Sequence, residues 1–265
     1  MGIPEVHRLA LHMKELSRWL SDQEGSPEEI REFAGPPHGD ALVSLDPASD
    51  APAASFNRNR IVLCGARGGL TQDGLRALLD IFERRRIPRV FAWLNPGPDD
   101  SLVRDWLHGL SFVRVPWTRY PTLLLSATAQ KMPDTKFEIR RVETADFAAA
   151  RVALNDAVME GFERTLGKPG CHHYQLLDEG RPIALAALVK FGEIGYLTYA
   201  GTIERERRRG AQSALIAHRV AAAQSMGCTH IVSQTLTMLE DSFANLQRCG
   251  FREVYEQEVF EYVRA

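Results

Sequence analysis

Apolar residues recur at helical spacing over residues 6–20. Val6, Leu9, Ala10, Met13, Leu16 and Leu20 share one stripe, and His7, Lys14, Glu15 and Arg18 lie elsewhere. The pattern predicts a helix with one face on the core. Pro27-Glu28-Glu29-Ile30 reads as the start of a short second helix, since proline suits a first turn. Residues 35–55 are rich in Pro, Ala, Asp and Gly and read as a long loop. Arg60–Cys64 then reads as a strand, Gly65-Ala66-Arg67-Gly68-Gly69 as a glycine turn, and Thr71–Arg85 as a helix burying Leu75, Leu78, Leu79 and Phe82. Arg89–Leu94 is the next strand and Asn95-Pro96-Gly97-Pro98 a turn. Asp99 caps a helix to His108, and Phe112–Val115 and Thr122–Leu125 read as two strands. Thr128–Asp134 is the best linker.

The second half opens with a strand at Phe137–Val142, then a helix from Thr144, its cap, to about Met159, and a loop at Gly161–Gly170. Tyr174–Leu177 and Pro182–Val189 flank Asp178-Glu179-Gly180 as a hairpin. Phe191-Gly192-Glu193 turns the chain into the strand Ile194–Thr202. A basic turn follows, then a helix to about Met226, a strand through Ile231-Val232, and a helix closed by Cys249-Gly250-Phe251. The last strand carries Tyr255, Val259, Phe260 and Tyr262. A faint repeat links the halves. Gln72–Leu75 lines up with Gln212–Leu215, Asp99–Leu102 with Glu240–Phe243, and His108-Gly109-Leu110 with Cys249-Gly250-Phe251.

The chain has 265 residues, enough for one large or two ordinary domains. Its net charge of −2 gives no push toward nucleic acid or membrane. Cys64, Cys171, Cys228 and Cys249 are scattered without metal-ligand spacing, and adjacent Cys171, His172 and His173 alternate across a strand, so no metal is expected. Neither a membrane-spanning run nor a signal peptide is evident, and a reducing cytoplasm is the expected compartment.

Candidate chemistry concentrates at Arg207-Arg208-Arg209-Gly210-Ala211-Gln212, between a strand and the first turn of a helix. A helix start offers unpaired amides and the positive end of its dipole, and the arginines add fixed charge, so the turn is an anion site suited to a phosphate or pyrophosphate. Neither G-x-x-x-x-G-K-[ST] nor G-x-G-x-x-G is present. The turn resembles the acyl-CoA loop of the GNAT N-acetyltransferase superfamily, usually written [QR]-x-x-G-x-[GA], with Gln212 in place of the final small residue. The order of loop, helix, strand, helix and Gly-Phe matches over roughly residues 135–265.

The resemblance implies a mixed α/β fold of the α+β class: a mixed, mostly antiparallel sheet with helices on both faces, in two tandem units. Residues 1–130 would be a degenerate unit with N-terminal helices that binds no CoA, and 131–265 the acyl-CoA-binding unit. Acetyl-CoA would be the acyl donor. Its pantetheine would pair with the strand edge at Ala200, Gly201 and Thr202. Its pyrophosphate would meet Arg207, Arg208, Arg209, Gly210, Ala211, Gln212 and Ser213, with Asn245 also in reach of the cofactor. The acceptor would be an amine, on a small molecule or a protein. Many relatives carry an acidic tyrosine four residues before the glycine of Gly-Phe, where this chain has Leu246. Tyr199, Tyr255 or solvent are the substitutes available, and Glu193 is the candidate base, although the usual glutamate would fall at Tyr196. Two other readings stand beside the enzyme. One is an acyl-CoA sensor without turnover. The other is a nucleotide site at Ile61–Gly69, whose glycine spacing does not suit dinucleotide loops.

Overall fold

The computed structural model describes residues 2–24, 29–47, 58–64, 68–97, 99–125, 136–143, 151, 153 and 156–264. The chain divides into two units, Met1–Pro121 with Tyr255–Ala265, and Thr122–Val254. The expected linker Thr128–Asp134, with the boundary at 130/131, and the expected helix cap Thr144 lie outside the described residues.

In the first unit the elements run α1 (Ile3–Glu24), β1 (Glu29–Glu32), β2 (Leu42–Leu45), β3 (Arg60–Cys64), α2 (Gln72–Arg84), β4 (Arg89–Asn95) and α3 (Asp100–Gly109). Strand β5 (Val113–Leu125) then leads into the second unit, and the end of β11 (Phe251–Val263) returns to pair with β4. The strand order is β1-β2-β3-β4-β11, with only β3 and β4 parallel. Leu75, Leu78, Leu79 and Phe82 of α2 pack on Ile61, Leu63, Val90, Ala92 and Phe260, as the helical spacing of that segment requires.

In the second unit the order is β6 (Glu138–Val142), α4 (Asp156–Arg164), β7 (Cys171–Asp178), β8 (Arg181–Phe191), β9 (Ile194–Thr202), α5 (Ala211–Ser225), β10 (His230–Gln234) and α6 (Glu240–Arg248). The strands lie in the order β5-β10-β9-β8-β7-β6, and β9–β10 is the parallel pair. The expected repeat is visible as β3-α2-β4-α3 and β9-α5-β10-α6. Each unit is completed by a strand from the other half of the chain: the end of β5 pairs with β10, and the end of β11 with β4. Periodicity carries no information about which neighbour a strand chooses, so this exchange was not legible in the sequence.

Five local expectations are corrected. The segment after Pro27 is strand β1, not a helix, because Glu29–Glu32 finds β2 as an antiparallel partner. Within the expected loop 35–55, Leu42–Leu45 is a fully buried strand between β1 and β3. Phe112–Val115 and Thr122–Leu125 fall on one long strand, β5, apart from Phe112 just before it. Helix α4 continues through Gly161 to Arg164, and Asp99 stands at the N-cap of α3 without a side-chain capping bond.

His173 of β7 is buried against α4. Its Nε2 lies 3.1 Å from Thr165 Oγ1, whose own hydrogen is donated to Gly161 O at 2.7 Å. The hydroxyl therefore accepts, Nε2 carries the proton, and Nδ1 is buried without a hydrogen bond among the described residues. Burial lowers the imidazole to about 4. A histidine whose folded pKa is depressed favours unfolding when it protonates, so stability present above pH 6.5 is lost as pH falls toward 4, by at most ~3 kcal/mol. His173→Gln should remove that part. Urea unfolding at pH 7 and pH 4.5 reads it, and an equal pH effect in both proteins would refute the buried neutral ring.

Candidate functional site

The site grows from the way β9 leaves β10. The two strands pair in parallel from His230↔Ile194 to Ser233↔Leu197, and the pairing stops there. Ser233 Oγ donates to Leu197 O at 3.0 Å at this last contact. Gln234 turns to the other side, pairing with Thr122 of β5 and donating from Nε2 to Thr122 Oγ1 at 2.8 Å. Residues 198–202 of β9 continue beside β8 alone. Against β8 the register slips: Ala187 faces Thr198 and Leu185 faces Gly201, so β9 carries one extra residue opposite Ala186. Tyr199 takes up the slack with φ 45°. An open strand edge of this kind can pair with an extended ligand bearing amides.

Beyond Thr202 the chain makes a 3₁₀ turn at Glu204–Glu206 and enters α5 through Arg207–Gly210. Arg208 (φ 61°) and Gly210 (φ 88°) are left-handed, which makes the turn into the helix sharp. Gly210 is the N-cap and supplies no side-chain cap, and a Cβ built there would meet nothing within 4 Å. The helix start is therefore open toward solvent. Helix α5 carries no acidic residue in its first turn.

The three arginines divide into two roles. Arg209 is a brace. Its Nη2 meets Asp178 Oδ2 at 2.6 Å and its Nη1 bonds Glu206, tying the turn to the β7–β8 hairpin. Arg207 and Arg208 are exposed and form no ion pair among the described residues. Asp178 was invisible as a site residue in the sequence, because a hairpin-tip aspartate has an ordinary turn explanation.

The other expected residues are spread out. Ala200 is exposed on β9, Gly201 is half-buried, and Thr202 Oγ1 is buried without a hydrogen bond among the described residues. Ala211 is buried, whereas Gln212 and Ser213 are half-buried in the first turn of α5. Asn245 on α6 accepts a hydrogen bond from Arg248. Leu246 is 5% exposed and packs in the core with Leu215 and Phe251, so that position faces away from any groove. Tyr199 has its ring on α4, where a Cβ at Gly161 would come within 2.8 Å of it. Tyr255 is buried in the part of β11 that belongs to the first unit. Glu193 is exposed in the turn before β9; its carbonyl accepts from Thr229 and His230. Six residues of strand, or ~20 Å, separate it from the bulge.

Arg219 was also missed. It is 2% exposed and lies in the apolar stripe of α5, four residues from Leu215 and from Ala223. It donates from Nε to Leu215 O at 3.0 Å and from Nη1 to Ala187 O at 3.0 Å and Thr198 O at 3.2 Å. Burial lowers the guanidinium to about 9. The sequence did carry a signal, a lone cation at a core position of an otherwise apolar stripe.

The matching place in the first unit is built differently. Strands β3 and β4 stay paired to their ends at Cys64↔Asn95, and Asn95 Nδ2 donates to Leu63 O at 3.2 Å. Thr71 caps α2 by accepting from Gly74 N at 3.0 Å. Residues 36–38 lie across the helix start: Pro37 O accepts from Thr71 N at 2.9 Å, and a Cβ at Gly74 would stand 1.9 Å from that oxygen. The parallel strands are closed and the helix start is covered.

Comparison with known proteins agrees with this geometry. The family model described as "Acetyltransferase (GNAT) family" matches residues 137–251. No curated protein matches the chain in sequence. Among solved structures, a GCN5-related N-acetyltransferase from Kribbella flavida aligns with TM-score 0.70 at 16% identity, over 98% of this chain and 96% of that one. A tandem GNAT protein from the clavulanic acid biosynthesis pathway aligns with TM-score 0.58 at 10% identity, over 77% and 75%. A GCN5-related N-acetyltransferase from Sphaerobacter thermophilus gives 0.57 at 11%, over 84% and 80%. At such identities these likenesses concern the fold. Among the described residues no helix is long and apolar enough to cross a membrane, and no three His, Cys, Asp or Glu residues gather as metal ligands. Residues 137–251 thus match the GNAT acetyltransferase family model, and the chain as a whole shares its fold with GNAT proteins, a tandem one among them.

Proposed function

We propose that the second unit binds acetyl-CoA and transfers its acetyl group to an amine, carried by a small molecule or a protein. The observation that carries this reading is the pairing of two openings on one unit: a strand edge free after Leu197 and an uncapped helix start behind Gly210. The residues present suit the ligand. The amides at the start of α5, with Arg207 and Arg208, supply charge-assisted hydrogen bonds for a diphosphate. The edge at Ala200–Thr202 suits pantetheine amides, and the buried Thr202 hydroxyl has bonding capacity to spare. Asn245 on the neighbouring helix stays in the cofactor set, and Arg209 shapes the turn from behind. Acetyl-CoA brings the activated thioester; the chain's own part is to hold it, to offer strand amides to its carbonyl, and to keep Tyr199 beside the bulge.

A second reading, an acyl-CoA sensor without turnover, is favoured by one observation: Leu246 is locked in the core where relatives keep an acid. Release of free thiol from acetyl-CoA across a panel of amines separates the two. Binding with no thiol released for any amine would favour the sensor.

Calorimetry with CoA tests the site itself. Gly210→Glu should abolish binding while far-UV circular dichroism stays native; Gly210→Ala should cost much less, since it adds backbone strain without charge. Unchanged affinity in Gly210→Glu would end this account. Arg207→Ala with Arg208→Ala should weaken CoA by about three- to tenfold, with most of the difference gone in high salt. Stoichiometry should be one CoA per chain, since the first unit's counterpart is covered by Pro37, and two per chain would contradict that.

A further inference from the structure

Arg219 is a cation in a core that has no counter-ion for it among the described residues. Its charged or ionisable neighbours are Tyr174, Cys249 and His218, none of them a carboxylate. Burying a guanidinium this way is costly, and an apolar side chain of similar volume would fill the space with less loss. Packing alone therefore gives no reason for an arginine. Its three acceptors do. Leu215 O belongs to α5 itself, and Ala187 O and Thr198 O belong to the last paired residues of β8 and β9 before the bulge.

The geometry at Thr198 has a consequence one atom further along. A trans peptide is planar, with its C=O and N–H pointing in opposite directions. Drawing the Thr198 carbonyl toward Arg219 sets the direction of the Tyr199 N–H away from α5. The extra residue of β9 then follows at once, with Tyr199 at φ 45°. A cation on the carbonyl end also polarises the peptide and strengthens its N–H as a donor. Arg219 stands eight residues beyond Ala211, or ~12 Å along one rigid helix. The element that opens its start to a diphosphate therefore also grips the bulge.

On the acyl-CoA reading above, we propose that Arg219 is a positioning residue for acetyl transfer, tying the diphosphate-binding helix to the β9 bulge and aiming and polarising the amide of Tyr199 at the thioester carbonyl. As the neutral amine nitrogen bonds to the carbonyl carbon, the C=O π pair moves onto the oxygen and this amide receives that charge; the pair then returns as the C–S bond breaks, CoA leaves as its thiolate, and the amine's proton passes to the thiolate or to water. The arginine touches neither substrate. It acts through the peptide it holds.

The test uses the full chain and acetyl-CoA labelled with ¹³C at the carbonyl. Infrared difference spectra should place the bound thioester stretch below that of free acetyl-CoA. Arg219→Met should return most of that shift while CoA affinity changes by no more than about twofold, and Arg219→Lys, which keeps charge without the fork, should fall between them. An Arg219→Met protein that binds and keeps the full shift overturns the proposal. Should that variant not fold, the wild type decides by NMR. The Tyr199 amide proton should move with acetyl-CoA and not with CoA, and identical shifts with both ligands overturn it. Wild-type protein that binds neither ligand would instead overturn the acyl-CoA reading, and this inference with it.

Discussion

The parting of β9 from β10 after the Leu197–Ser233 pair is the constraint on which the second unit rests. A parallel pair that stayed closed would satisfy its backbone internally and leave nothing for a ligand, as β3 and β4 show in the first unit. Opening the pair leaves five residues of strand with one neighbour, and such an edge persists only if something else holds it. On one side β8 does so, through a register slip. From α5, Arg219 does so through the carbonyls of Ala187 and Thr198. At the end of β10 the Gln234 side chain reaches both neighbours, donating to Thr122 of β5 and accepting from Tyr196 of β9.

The two units show how little is needed to make or remove such an opening. Both have a parallel strand pair, a following helix and a second helix in the same order. In the first, a threonine caps the helix, a proline carbonyl covers it, and an asparagine side chain bonds back across the strand pair. In the second, a glycine with φ 88° leaves the helix start bare and arginines stand beside it. The difference lies in a few polar contacts at element ends, while the apolar cores obey the same rules.

The arginine-rich turn illustrates why charge counting in a sequence misleads. Three adjacent arginines look equivalent, yet one is committed to Asp178 and Glu206. The cation with the most consequence for strand geometry, Arg219, lies ten residues further on in what reads as an apolar helix face. Ion pairing sets Arg209 apart from its exposed neighbours, and desolvation sets Arg219 apart from all three, since a buried guanidinium must find carbonyls.

By itself, the sequence determined the elements from Tyr174 onward, the amphipathic face of α2 and the basic turn with its glycine, because periodicity, turn chemistry and helix starts are local properties. It also carried the repeat. Only the tertiary structure decided that Glu29–Glu32 and Leu42–Leu45 are strands, that β5 and β11 each finish in the other half's unit, and that β9 leaves β10 at Leu197. It alone showed that Glu193 sits a strand's length from the bulge and that Arg219 holds it. Strand partners, edges and the targets of a buried cation depend on residues distant in the chain, and no local pattern contains them.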